Sequence, residues 1–173
     1  MDEDLAQEIT SRPKSAAARH SADALLRDAK IKEAPVRISD VVRYVPDRYN
    51  LTVAGWHDLP DKVDALTRKE AGITIIGYNN KVSVTRQKFS VAHELGHLYM
   101  GHLHGQSSID LNSTANDEVE ANQFAAQLIM PPAMLRKDIK EGLKDPKQLA
   151  KKYGVSEEAM WWKLTESGLW KQL

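Results

Sequence analysis

Cysteine is absent from this chain, so it can form no disulfide and hold no metal through thiolate. Any bound metal must rest on histidine and carboxylate side chains. A surplus of one charge is missing too: 24 Lys+Arg balance 24 Asp+Glu, leaving no whole-chain electrostatic footprint for nucleic acid or anionic lipid. No apolar run approaches the ~18 residues a membrane helix needs. The opening stretch, MDEDLAQEI, is acidic and lacks the basic and apolar regions of a secretion signal. A cytoplasmic protein without membrane association is therefore expected. Internal repeats and low-complexity tracts are also lacking. What the 173 residues do have is 42% hydrophobic content, enough for one compact core and a small appended subdomain.

Residues 11–34 are rich in helix formers, with Leu25, Leu26 and Ala29 as a modest apolar stripe and Pro35 closing the segment. Ile38 to Val45 reads as a short helix stopped by Pro46, and LTVAGW from Leu51 as a strand. The stretch ITIIGY-NN-KVSVT predicts a hairpin, pairing Ile73–Tyr78 with Lys81–Thr85 across Asn79-Asn80. A helix then carries Phe89, Ala92, Leu95 and Tyr99 on its apolar faces, with Gly101 just past its end. His102 to Asn116 reads as a loop, and Glu118 to Met130 as a helix ended by Pro131-Pro132. Two or three short helices follow. The layout is α+β, with a small antiparallel sheet or hairpin against helices. It divides into an N-terminal helical arm (1–33), a central domain (34–135) and a C-terminal helical subdomain packed on it (136–173).

Inside the apolar helix lies VAHELGHLYMGH, residues 91–102, with His93, Glu94 and His97 in the order H-E-x-x-H. Residues i and i+4 share a helix face, so His93 and His97 can offer two imidazole nitrogens to one ion. Glu94 sits about 100° round the helix, where it can reach a water without being a ligand. Gly96 in the helix interior costs about 1 kcal/mol against alanine, which points to close packing or function. This is the pattern of a zinc helix in a metallopeptidase, with one Zn2+ per chain. A catalytic zinc needs a third protein ligand. A histidine ten residues after the first would fall at position 103, which is Leu103; His102 and His104 flank it outside that spacing and read as loop histidines.

A better third ligand is Glu118, whose i+3, i+4, i+7 and i+8 neighbours are Ala121, Asn122, Ala125 and Ala126, a small face suited to packing on another helix. Glu120 shares its face with Gln123, Phe124 and Gln127 and looks nearer solvent. Asp117 suits the helix N-terminus. Asn122 either hydrogen-bonds a ligand imidazole or is an ordinary amide. Tyr78, Tyr99, His102 and His104 are the available oxyanion stabilisers, with no basis in sequence for choosing among them. Val82 to Thr85, directly before the motif helix, is either an edge strand that binds substrate by strand addition or an internal strand.

Together RQKFSVAHELGHLYMGH and, further on, EVEANQFAAQLIMP resemble the ImmA/IrrE family of metallopeptidases. The likeness runs from Ala34-Pro35-Val36 to Met134. It implies a helical, zincin-type core with a small sheet, His93, His97 and Glu118 as zinc ligands, and Glu94 as general base. It also implies a protein substrate, a helix-turn-helix repressor whose cleavage relieves repression. The chain length favours the short, mobile-element type of the family over members with a further sensory domain.

DPKQLAKKYGVSEEAMWWKLTESGLW looks like a helix-turn-helix, with Gly154 at the turn and Ser156 capping the second helix. That second helix carries Glu157, Glu158, Trp161 and Trp162, with Lys163 its one basic residue. Nine Lys/Arg against six Asp/Glu from 136 to 173 make a weak phosphate-binding surface, so direct DNA binding is not expected. Packing on the core, or docking a protein partner through tryptophan, fits better. Beside the zinc endopeptidase stand two other readings: a non-catalytic zincin-fold module that sequesters a repressor, and a DNA-binding regulator.

Overall fold

The computed structural model describes residues 12–60, 62–102 and 115–173. Helix α1 (Ser15–Asp28) buries Ala18, Ala22, Leu25 and Leu26, a stripe at helical spacing. A short α2 (Ile38–Val42) follows, then strands β1 (Leu51–Trp56), β2 (Ala65–Glu70) and β3 (Ile73–Asn79). Helices α3 (Val84–Met100) and α4 (Ala115–Ile129) are the long central pair, and α5 (Pro132–Lys140), α6 (Pro146–Tyr153) and α7 (Glu157–Glu166) complete the chain. The class is α+β.

The sheet is mixed, in the order β1-β3-β2. β1 runs parallel to β3, with Leu51 beside Thr74, and β2 antiparallel to it, with Glu70 beside Ile73. The hairpin is thus β2–β3, closed by Ala71 and Gly72 at φ 49° and 80°, the left-handed pair a two-residue turn requires. The expected hairpin across Asn79-Asn80 is corrected in its second half: Lys81–Thr85 is no strand. Ser83 instead caps α3, its side chain accepting from the Arg86 N–H, and Val84 and Thr85 are the first helical residues. Gln87 Nε2 donates to the carbonyls of Val82 (2.7 Å) and Asn80 (3.4 Å), so these acceptors are met by a side chain and not by a partner strand.

α3 and α4 approach closely at Gly96. A Cβ there would lie 2.9 Å from Ala121 Cα and O and 3.1 Å from Phe124 Cβ. Glycine is present because the helix backbones leave no room for a methyl group. The sheet packs on α3, and α1 covers the other side of α4. Arg19 donates to Gln123 (2.9 Å), and Asp23 accepts from Gln127 Nε2 (2.9 Å) across that contact. One apolar cluster, from Ala18 through Leu95, Phe124 and Leu149 to Leu169, runs through the structure.

At the C-terminal end, Gly154 turns the chain at φ 62° and Ser156 caps α7 by accepting from the Ala159 N–H. Trp161 and Trp162 both lie about half exposed. Lys163 is fully buried, its Nζ donating to Gln127 Oε1 (3.3 Å) and Glu166 Oε2 (3.1 Å). No helix among the described residues is long and apolar enough to cross a membrane.

Candidate functional site

α3 and α4 bring His93, His97 and Glu118 together. One ligand atom from each lies within 4.8 Å of the others, the arrangement of a group that could hold a metal ion. The imidazole Nε2 atoms are 2.9 Å apart, and Glu118 reaches them with Oε2 at 3.2 Å from His93 and Oε1 at 3.3 Å from His97. With bonds of about 2.0–2.1 Å to a central ion, tetrahedral ligands stand about 3.3–3.4 Å apart. The spacings match that figure with slight compression, so the donor set fits a four-coordinate ion with one position left for water or substrate.

The outer nitrogens of both rings are engaged. His93 Nδ1 is 2.9 Å from Asn122 Oδ1, one turn beyond Glu118 on the same helix. The amide accepts the ring N–H and leaves Nε2 as a lone pair facing the group. His97 Nδ1 is 3.1 Å from His102 Nδ1, and His102 Nε2 is 2.9 Å from Glu120 Oε2 and 3.4 Å from Asp117 Oδ1. Glu120 Oε1 accepts the backbone N–H of Lys14 at 2.6 Å. Glu120 and His102 are both buried. This corrects two expectations, a Glu120 face near solvent and His102 as a plain loop residue. Phe124 and Gln127, which share the Glu120 face, are buried as well, because α1 lies over it. His102 is carried back over His97 by the end of α3: Gly101 turns left-handed at φ 75°, and the N–H groups of Gly101 and His102 bond to the carbonyls of Leu98 and His97.

Glu94 borders the same cleft, a cavity of about 510 Å³ that also takes in Thr67, Phe89, Asn122 and the chain from Lys62 into β2. Thr67 Oγ1 donates to Glu94 Oε2 at 2.5 Å and fixes the carboxylate toward the cleft. Sequence offered no sign of Thr67, since its role depends on β2 lying beside α3. A larger cavity of about 670 Å³, lined by residues such as Val36, Val53 and Val91, opens on another face of α3. Its walls are mainly apolar and hold no such group, so the chemistry assigns the site to the smaller cleft.

Of the oxyanion stabilisers weighed above, Tyr78 lines the larger cavity. Tyr99 stacks on Phe124 and Tyr49, and burial pushes its phenol up to about 12. His102 sits behind His97, away from the cleft. Leu103 and His104 lie outside the described residues.

A family model described as Peptidase_M78, IrrE N-terminal-like domain, matches residues 55–165. That span holds the motif helix, Glu118 and most of the C-terminal helices. The chain belongs to the IrrE N-terminal-like peptidase family. No curated protein sequence matches the chain. Among solved structures, a Mycobacterium tuberculosis transcriptional regulator superposes with a TM-score of 0.58 at 17% identity, over 83% of this chain and 44% of that one. The likeness establishes a shared fold, and this peptidase-family chain spans less than half of that regulator's length.

Proposed function

We propose that this protein is a zinc-dependent endopeptidase with His93, His97 and Glu118 as metal ligands and Glu94 as general base, acting on a regulatory protein in the cytoplasm. The observation that carries this reading is the convergence of the three ligand atoms within 4.8 Å beside a carboxylate already aimed at their cleft by Thr67. A bound zinc ion would supply Lewis acidity, lowering the pKa of water and polarising a peptide carbonyl. Glu94 then accepts a proton from the attacking water as the new C–O bond forms, and delivers it to the amine nitrogen as the C–N bond breaks. Asn122 keeps His93 in the tautomer that presents Nε2. β2 is an edge strand, and its first half borders the cleft, so a substrate in extended form can add to it through main-chain hydrogen bonds. This moves the strand-addition role from Val82–Thr85, where α3 begins, to β2.

A helix-turn-helix repressor is the substrate class, on the strength of the family resemblance. The DNA-binding alternative loses its main basic residue on the second helix, since Lys163 is buried and bonded internally. The test is to incubate the zinc-loaded chain with helix-turn-helix repressors and identify fragments by mass spectrometry, beside Glu94→Gln. Cleavage should fall by about 100-fold or more in the variant while zinc content stays unchanged. Full relief of repression by Glu94→Gln would replace the peptidase reading with that of a sequestering module.

A further inference from the structure

Glu120 touches neither the cleft nor any ligand atom of the candidate metal group, yet it stands at the end of a chain of contacts that reaches one. We propose that Glu120, acting through His102, is a positioning residue that sets the tautomer of His97 and so prepares Nε2 of that ring to bind metal. The inference rests on the zinc-peptidase reading and concerns how this chain holds the ion.

The direction of the chain is fixed at its acidic end. An ionised carboxylate can only accept hydrogen bonds. Oε1 of Glu120 takes the Lys14 N–H at 2.6 Å, which leaves Oε2 for His102 Nε2 at 2.9 Å. His102 Nε2 also has Asp117 Oδ1 at 3.4 Å, a second acceptor on the same side. That nitrogen must therefore carry the hydrogen. In neutral imidazole the other nitrogen is then a lone pair, so His102 Nδ1 accepts. Its partner at 3.1 Å is His97 Nδ1, which must donate. His97 is left with its lone pair on Nε2, the atom that stands 2.9 Å from His93 Nε2 and 3.3 Å from Glu118 Oε1. With His102 neutral, each link follows from the one before it.

Two features show that the relay is built and not incidental. Burial of a carboxylate is expensive unless its oxygens are hydrogen-bonded, and here each oxygen has its own N–H donor. The end of α3 is shaped to return His102 to His97, by a left-handed glycine at 101 and the His102 N–H bonded to the His97 carbonyl at 3.0 Å. Asn122 serves His93 with one amide; His97 is served across two side chains and a second helix.

An amide in place of the carboxylate reverses this logic. Glu120→Gln keeps size and shape but has one accepting oxygen for two donors. With that oxygen on the Lys14 N–H, its NH2 faces His102 Nε2 from nearer than Asp117 Oδ1 does, 2.9 Å against 3.4 Å, which favours His102 accepting at Nε2 and donating from Nδ1. His97 Nδ1 then becomes the acceptor, and its proton moves to Nε2, where it blocks metal binding.

The test uses the full chain without metal and 15N-labelled at histidine, read by the imidazole nitrogen shifts in NMR. In wild type, His97 should already be the Nδ1–H tautomer before any metal is added. In Glu120→Gln it should shift toward Nε2–H, and a chromophoric chelator should report zinc binding weakened by about 10–100-fold. Wild-type His97 in the Nε2–H form, or a variant with unchanged tautomer and zinc affinity, overturns the proposal. Should Glu120→Gln not fold, the wild-type spectrum alone decides. Failure of the peptidase reading looks different: zinc-loaded wild type would cleave no repressor, while the His97 tautomer and the zinc affinity would still answer to Glu120.

Discussion

Thr67 is a residue whose contribution is a single hydrogen bond. Its hydroxyl donates to Glu94 from a strand that no sequence motif connects to the motif helix. Thr67→Val keeps the side-chain volume and removes that donor to Glu94. A hydrogen bond to a charged group contributes about 1.5–3 kcal/mol, so cleavage rate should fall by about 10- to 150-fold with zinc affinity intact. Steady-state kinetics beside a zinc titration checks this; an equal loss in both would mean that Thr67 supports the helix and not the base. At this scale, legibility followed distance along the chain. The nearness of His93 to His97 was readable because one helix turn relates them. Glu118 was readable from its small-residue neighbours, which match the close approach at Gly96. Thr67, His102 and Glu120 were not, because each acquires its role from an element distant in sequence: β2 on α3, the turn after Gly101, and α1 over α4.

Among the elements, the α3–α4 contact decides most. Gly96 admits no side chain, with Ala121 Cα and O both 2.9 Å from where a Cβ would be. Gly96→Ala gains about 1 kcal/mol of helix propensity but forces two backbones apart, an overpacking that costs about 1–3 kcal/mol. We expect a net destabilisation of about 1 kcal/mol in urea unfolding, with weaker zinc binding because Glu118 moves with α4. A variant as stable as wild type would show that α4 slides without resistance. The sheet shows why elements can be misread from pattern alone. Lys81–Thr85 has the β-branched residues of a strand, but Ser83 is a helix cap and Gln87 satisfies the carbonyls behind it. ALTRKE, by contrast, is a strand whose last three residues are charged and exposed, as an edge strand tolerates, so no apolar alternation marks it in the sequence.

For the molecule as a whole, pH gives a handle on stability that does not pass through the cleft. Lys88 Nζ donates to the Tyr153 carbonyl at 2.7 Å, joining α3 to α6, and burial lowers its ammonium from 10.5 to about 8. Between those values the unfolded chain holds a proton that the folded chain has released. Stability should therefore rise with pH from about 8 toward 10. Lys163, also lowered by burial, works in the same sense, whereas Tyr99, raised from 10.0 to about 12, opposes it only above 10. Urea midpoints across this range should climb in wild type and climb less in Lys88→Met; identical slopes would remove Lys88 as the source. The α+β class and most helices were legible from periodicity and caps. The parallel pairing of β1 with β3 was not, since nothing local in LTVAGW or ITIIGY tells which neighbour each strand takes.

The tight meeting of Gly96 with Ala121 and Phe124 also leaves a mark on descent. Two helices that touch through backbone leave position 96 no partner to bargain with, because Ala121 Cα and O, each 2.9 Å from where a Cβ would be, are present whatever residue stands at 121. In related chains that keep this geometry, position 96 should stay glycine whatever happens to the side chains at 121 and 124. Where it does change, the helices themselves should stand further apart, a record that structures of relatives can be searched for.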